Sequence, residues 1–143
     1  MGAARGSVLE VGSGNGVIAE RLREAGHVVT AVEVTAESAA ETARRAGCEV
    51  VRAALPDLPF RDDAFDTVVC SHTLEHIPDL YRAAAELRRV ARRVVVVVPC
   101  QRYYRYTVDY HLHFFPNAAP LEHLLGGEAR LVDGDWLVVA DAS

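Results

Sequence analysis

The sequence contains no lysine, and all 15 basic residues are arginine, a bias that reads as a GC-rich genome rather than a functional cluster. Acidic residues outnumber them. The net charge of −5 argues against a nucleic-acid footprint or an anionic membrane surface as partner. Cysteine is scarce: Cys48, Cys70 and Cys100 are odd in number and lack metal-ligand spacing, which fits a reduced, cytoplasmic setting. No apolar run approaches the length of a membrane span. Repeats and low-complexity segments are absent, and the few residues before Val8 leave no room for a signal peptide. What is present is a chain of 143 residues, half of them apolar, enough for one soluble domain over residues 1–143 with a real core.

That domain is organised around Val8-Leu-Glu-Val-Gly-Ser-Gly-Asn-Gly16. A short apolar run breaks into Gly12, Gly14 and Gly16, and a helical pattern follows at once with Val17, Ile18, Ala19 and Leu22. Strand, glycine-rich turn and helix start in that order form a nucleotide or cofactor cradle. The glycines permit close backbone approach, and the helix start offers unpaired N–H groups.

Strands and helices alternate from there. The first helix is expected over Asn15–Ala25, ending at Gly26, and the second strand over His27–Val34. Thr35 caps a helix over Ala36–Ala46 that stops at Gly47, with a buried stripe expected to be mostly alanine. Strands follow at Cys48–Ala53 and Phe65–Ser71. Asp79 caps a helix running to about Arg92, and five consecutive valines, Val94–Val98, make a strand that must be covered on both faces. A short helix near Leu121–Leu125 and a hairpin turning at Asp133-Gly134 close the pattern. Such alternation predicts a doubly wound α/β sheet with ligands at the carboxyl edge of its strands.

A dinucleotide site wants G-x-G-x-x-G, and here the third glycine comes one residue early. The Glu-x-Gly-x-Gly-x-Gly spacing instead resembles motif I of the class I S-adenosylmethionine-dependent methyltransferases. Leu58-Pro-Phe-Arg-Asp-Asp-Ala-Phe65-Asp66-Thr-Val, continuing to Leu74-Glu75-His76, is similar to the L-P-F-x-D-x-x-F-D-x-V and L-E-H stretch of small-molecule methyltransferases of that class. The resemblance implies a Rossmann-like sheet of order 3-2-1-4-5-7-6 with strand seven antiparallel, here shortened at its N-terminus. It implies S-adenosyl-L-methionine as cofactor and methyl transfer to an O or N atom of a small molecule or peptide.

Carried over by position, Gly12 and Gly14 would pass beside the homocysteine part of the cofactor, with Glu10 holding the turn and the amino group. Glu33, next to Val34, would accept both ribose hydroxyls, as a carboxylate can. Ser71 and His72 would lie under the methionine moiety. Where members often carry an Asp for the adenine amine, this chain has Ala54, which leaves adenine to the Leu55 backbone and apolar contacts.

An acceptor hydroxyl needs a base, and His72, His76 and His111 are the expected candidates at the carboxyl edge. Arg102, Tyr103, Tyr106, His111 and His113 should line the acceptor pocket, the aromatics stacking a planar substrate and the arginine pairing an anion. The primary reading uses no metal; His72, Glu75, His76 and His111 form an alternative divalent-metal set. No Asn/Asp-Pro-Pro-Tyr/Phe follows the fourth strand, which disfavours adenine or glutamine amide methylation. The rival reading is a cofactor-binding, non-catalytic subunit that stabilises or activates a partner. With only a short stretch before Val8, either the site is unusually open or a homo-oligomer or partner chain covers it.

Overall fold

Five runs rich in β-branched residues build the parallel part of the sheet: β1 (Ser7–Val11), β2 (Val28–Glu33), β3 (Glu49–Arg52), β4 (Phe65–Ser71) and β5 (Ala91–Pro99). The computed structural model describes residues 6–102 and 110–142. Helices α1 (Val17–Glu24), α2 (Ala36–Ala46), α3 (Leu80–Val90) and α4 (Ala119–Leu125) connect or follow these strands, and β6 (Glu128–Val132) and β7 (Asp135–Asp141) form the hairpin. Strand order is β3-β2-β1-β4-β5-β7-β6. All pairs are parallel except β5 with β7 and β7 with β6. This is the order the family resemblance implied. The chain runs outward from β1 in both directions, so the crevice of the switch point opens at the carboxyl ends of β1 and β4.

Alternate residues of each central strand feed opposite cores. Leu9, Val11, Val68, Cys70, Val94 and Val96 pack with Leu87, Leu121 and Leu125 on one face. Val8, Val29, Val69 and Val95 pack with Ala19, Leu22 and Ala46 on the other. Burial on both faces is what allows the unbroken valine run of β5. Among the described residues, no helix is long and apolar enough to cross a membrane.

Three local expectations change. Helix α3 ends at Val90 and β5 begins at the next residue, so Arg92 lies in a strand rather than a helix. Pairing of Ala91 with Phe65, and of Arg93 with both Thr67 and Asp141, outweighs the helical pattern that continues past Val90. Helix α1 starts at Val17 rather than Asn15, because Gly16 adopts a left-handed conformation (φ 78°) and turns the chain into the helix. The buried residues of α2 are Thr42 and Ala46, while Ala36, Ala40 and Ala43 face solvent. The expected alanine stripe is therefore wrong, and a threonine holds its centre. The reason is Gly16: a Cβ there would stand 2.9 Å from the Thr42 Cα, so the two backbones meet at that point.

Candidate functional site

The glycine turn is fastened at both ends by backbone hydrogen bonds. Gly12 N and Ser13 N donate to the Val32 carbonyl at 3.0 and 3.4 Å, and Gly16 N donates to Ser13 O at 2.8 Å. Each glycine has its own reason. At Gly12 (φ +77°) a Cβ would meet Thr73 Oγ1 at 2.2 Å, and at Gly14 (φ +58°) it would meet nothing within 4 Å. Gly12 is thus a packing glycine, and Gly14 presents bare backbone to open space where a ligand can approach.

Glu33 ends β2 beside this turn and is only 8% exposed. Its Oε1 accepts from Gly14 N and from Ser13 Oγ (3.3 Å), and Oε2 accepts from Val34 N at 3.3 Å. Ser13 Oγ also lies 3.0 Å from Thr42 Oγ1, which donates to Gly14 O at 3.3 Å. The carboxylate expected to face ribose is in this structure turned back onto the cradle. A carboxylate has about four acceptor sites, so capacity remains on Oε2. Exposed Val34 and Ala54 stand beyond the ends of β2 and β3, apolar positions fit for a planar base, and the Leu55 side chain is buried in the core.

Glu10 is 1% exposed, and its Oε2 has no hydrogen-bond partner. Burial, reinforced by the Glu33 charge, pushes its pKa from 4.5 up to about 7. A folded-state pKa raised in this way means that the unfolded chain ionises first. Stability should therefore fall as pH rises from about 4.5 to about 7, by about 3 kcal/mol for the full shift. Denaturant unfolding of Glu10→Gln between pH 5 and 8 should show most of that slope removed. An unchanged slope would place the proton elsewhere.

An orphaned buried carboxylate oxygen, an open approach over Gly14 and a second carboxylate at the end of β2 suit a ligand with an ammonium group and a diol. The donor set fits S-adenosylmethionine.

The chain leaving β4 delivers the second half of the site. Ser71 O accepts from Thr73 Oγ1 at 3.1 Å, and the same hydroxyl reaches Val11 O at 3.5 Å, beside Gly12. Between them His72 takes a left-handed φ of 49°, a position non-glycine residues occupy at a cost of about 1–2 kcal/mol. Its backbone N donates to Val97 O at 2.8 Å, and its Nε2 lies 3.0 Å from Asp135 Oδ2 of β7. A short 3-10 turn, Leu74–His76, follows.

Glu75 in that turn is fully buried, and neither carboxylate oxygen has a hydrogen-bond partner. Burial raises its pKa, and its own backbone N–H and then the charges of His76, His72 and His111 offset only part of that rise. His72 Nδ1 is 3.6 Å and His76 Nε2 is 4.0 Å from Oε1. The Glu75 carbonyl accepts from Leu112 N (2.8 Å) and His113 N (3.1 Å), which brings the segment after β5 onto the turn. His111 then meets His76 edge to face, with ring centroids 4.8 Å apart.

The structure thus gathers His72, Glu75, His76 and His111, as the spacing suggested. His113 points elsewhere: its Nε2 bonds the Ile77 carbonyl at 2.8 Å. Arg102 is exposed, and Tyr103 and Tyr106 lie outside the described residues. Ser13, Thr42, Thr73 and Asp135 were not anticipated. The signal available for Thr42 was a lone hydroxyl in an alanine-rich helix. For Thr73 it was adjacency to the expected methionine site.

The profile described as "Methyltransferase domain" matches residues 9–98. An "uncharacterized methyltransferase" of Mycobacterium sp. (strain JLS) is 36% identical over 128 residues, 89% of this chain and 48% of that protein. The chain therefore spans about half the length of this relative and of two similar mycobacterial ones. A ubiquinone biosynthesis O-methyltransferase of Paracidovorax citrulli (strain AAC00-1) is 31% identical over 83 residues, 50% of this chain and 33% of that one. A SAM-dependent methyltransferase structure from Methanosarcina mazei superposes with a TM-score of 0.78 over 94% of this chain and 91% of its own, at 17% identity, a likeness of fold. With its profile match over most of the sheet and the sheet order observed, the chain belongs to the class I S-adenosylmethionine-dependent methyltransferase family, whose cofactor is S-adenosylmethionine.

Proposed function

We propose that this domain transfers a methyl group to an oxygen or nitrogen atom of a small molecule or peptide, with the acceptor held over the carboxyl ends of β4 and β5. The observation that carries the reading is the contact between Thr73 and Gly12. It sets the histidine-bearing turn after β4 directly against the cofactor turn after β1.

S-adenosylmethionine supplies a methyl group on a sulfonium, which leaves as a neutral thioether. Alignment and exclusion of water provide most of the acceleration in such a displacement. On this reading Gly12, closed against Thr73, passes beside the homocysteine part, Gly14 gives the backbone approach and Glu10 takes the amino group. Glu33 takes the ribose hydroxyls, Val34, Ala54 and the Leu55 backbone border the adenine, and Ser71 and His72 floor the reacting end. A hydroxyl acceptor also gives up a proton, and His72, His76 and His111 are the groups placed to receive it. Asp135 orients His72 through Nε2. Arg102 borders the acceptor.

The test is a transfer assay with methyl-labelled S-adenosylmethionine against a panel of phenols, amines and short peptides. Label appearing on an oxygen or nitrogen acceptor is the expected result. Cofactor binding with no transfer to any acceptor would favour the rival reading, a subunit that stabilises or activates a partner.

A further inference from the structure

We propose that Glu75, His76 and His111 form a binding site for a first-row divalent cation such as Zn²⁺ or Mn²⁺, which would hold a hydroxyl oxygen of the acceptor. Each residue offers one ligand atom, and the three atoms lie within 4.8 Å of one another. Two ligands on one ion with bonds of about 2.1 Å stand about 3–4 Å apart, so the group has to contract by about 1 Å. Two imidazoles and a carboxylate are a ligand set suited to such ions, and they leave coordination positions open.

Two independent observations point to a cation rather than to a mere cluster. The first is Glu75 itself. A fully buried carboxylate that no other residue hydrogen-bonds, helped only weakly by its own backbone N–H, is costly, and it calls for an occupant that satisfies it. The second is the tautomer of the imidazoles. His76 Nδ1 lies 3.2 Å from the Tyr110 carbonyl, and His111 Nδ1 lies 2.5 Å from Gln101 Oε1. Both partners are acceptors, so each Nδ1 carries its proton and each Nε2 presents a lone pair. Metal-bound histidines are held by this arrangement, with the far nitrogen donating to a carbonyl or carboxylate. The backbone bonds from Leu112 and His113 to the Glu75 carbonyl fix the two segments in register. His72 borders the group, with Nδ1 3.6 Å from Glu75 Oε1, but its Nε2 is tied to Asp135 and it is not one of the three converging ligands.

The cation deepens the proposed function and rests on it for its purpose. With His76 and His111 held by the ion, they no longer serve as bases; a hydroxyl oxygen bound to the ion loses its proton more readily, to His72 or to solvent. The O–H bond breaks, and the oxygen keeps the electron pair that attacks the methyl carbon. The site therefore favours oxygen acceptors over amines, which already carry a lone pair when neutral.

Titration with Zn²⁺ and Mn²⁺ alone, followed by calorimetry and by Co²⁺ visible spectra, tests the site without cofactor or acceptor. The expected result is one ion per chain, with affinity at least tenfold weaker in His76→Ala, His111→Ala and Glu75→Gln. His72→Asn should stay within a few-fold of the unaltered chain. His76 is partly exposed, so its variant should keep the native thermal melt even if Glu75→Gln does not fold. No saturable binding, or binding that survives both histidine substitutions, would overturn the site. Transfer to a hydroxyl that survives exhaustive chelation would overturn its role. Absence of any transfer with ion binding intact would count against the proposed function alone.

Discussion

Replacing Glu33 with alanine should weaken binding of S-adenosylmethionine and of its demethylated product by about 1.5–3 kcal/mol, the scale of hydrogen bonds to a charged group. That is roughly a ten- to hundredfold rise in Kd. The loss has two sources. The carboxylate would no longer receive ribose hydroxyls, and the turn would lose the acceptor that now holds Gly14 N and Ser13 Oγ. Glu33→Gln separates them, because its carbonyl oxygen can still take the Gly14 N–H while the charge is gone. Calorimetry should place the glutamine variant between the other two. Equal affinity for all three would remove Glu33 from the cofactor site.

Gly16→Ala should destabilise the fold by about 2–4 kcal/mol, combining left-handed backbone strain with overpacking. For a domain of this size that is roughly 7–13 °C in Tm. The new methyl would stand 2.9 Å from the Thr42 Cα, which is backbone and cannot swing away. Gly26 is the internal control. It has φ +91° with nothing within 4 Å of a Cβ, so Gly26→Ala should carry the backbone strain alone. Differential scanning calorimetry of the two variants isolates the contact between α1 and α2. Equal shifts would mean that the helices do not meet as described.

Much of the architecture was legible because most strands hold a local apolar run and most turns carry a glycine or proline, although the β2–α2 turn, Val34-Thr35, and the α3–β5 junction carry neither. The order of the sheet came from the family resemblance, and Val94–Val98 alone required cover on two faces. The features that escaped are tertiary. Thr42 meets Ser13 across 29 residues, and Asp135 meets His72 across 63, so no local period encodes either contact. Arg92 was misplaced because a helical pattern and a strand pairing compete there, and the pairing with β4 and β7 wins. The histidines divide for the same reason. Spacing showed four of them near one edge but not that His113 bonds the Ile77 carbonyl while His111 turns to His76.

The central claim is that the turn from Gly12 to Gly16, with Glu33 beside it, is a cofactor cradle. Calorimetric titration of the purified chain and of Gly14→Ala with S-adenosylmethionine tests it most directly. At Gly14 an added methyl meets no protein atom within 4 Å, so it should cost the fold only about 1–2 kcal/mol of backbone strain. It should stand in the space the ligand needs. One-site binding by the unaltered chain, lost in a Gly14→Ala variant that still melts cooperatively, is the predicted result. No binding by the unaltered chain at about millimolar ligand, or equal binding by both, would contradict the account.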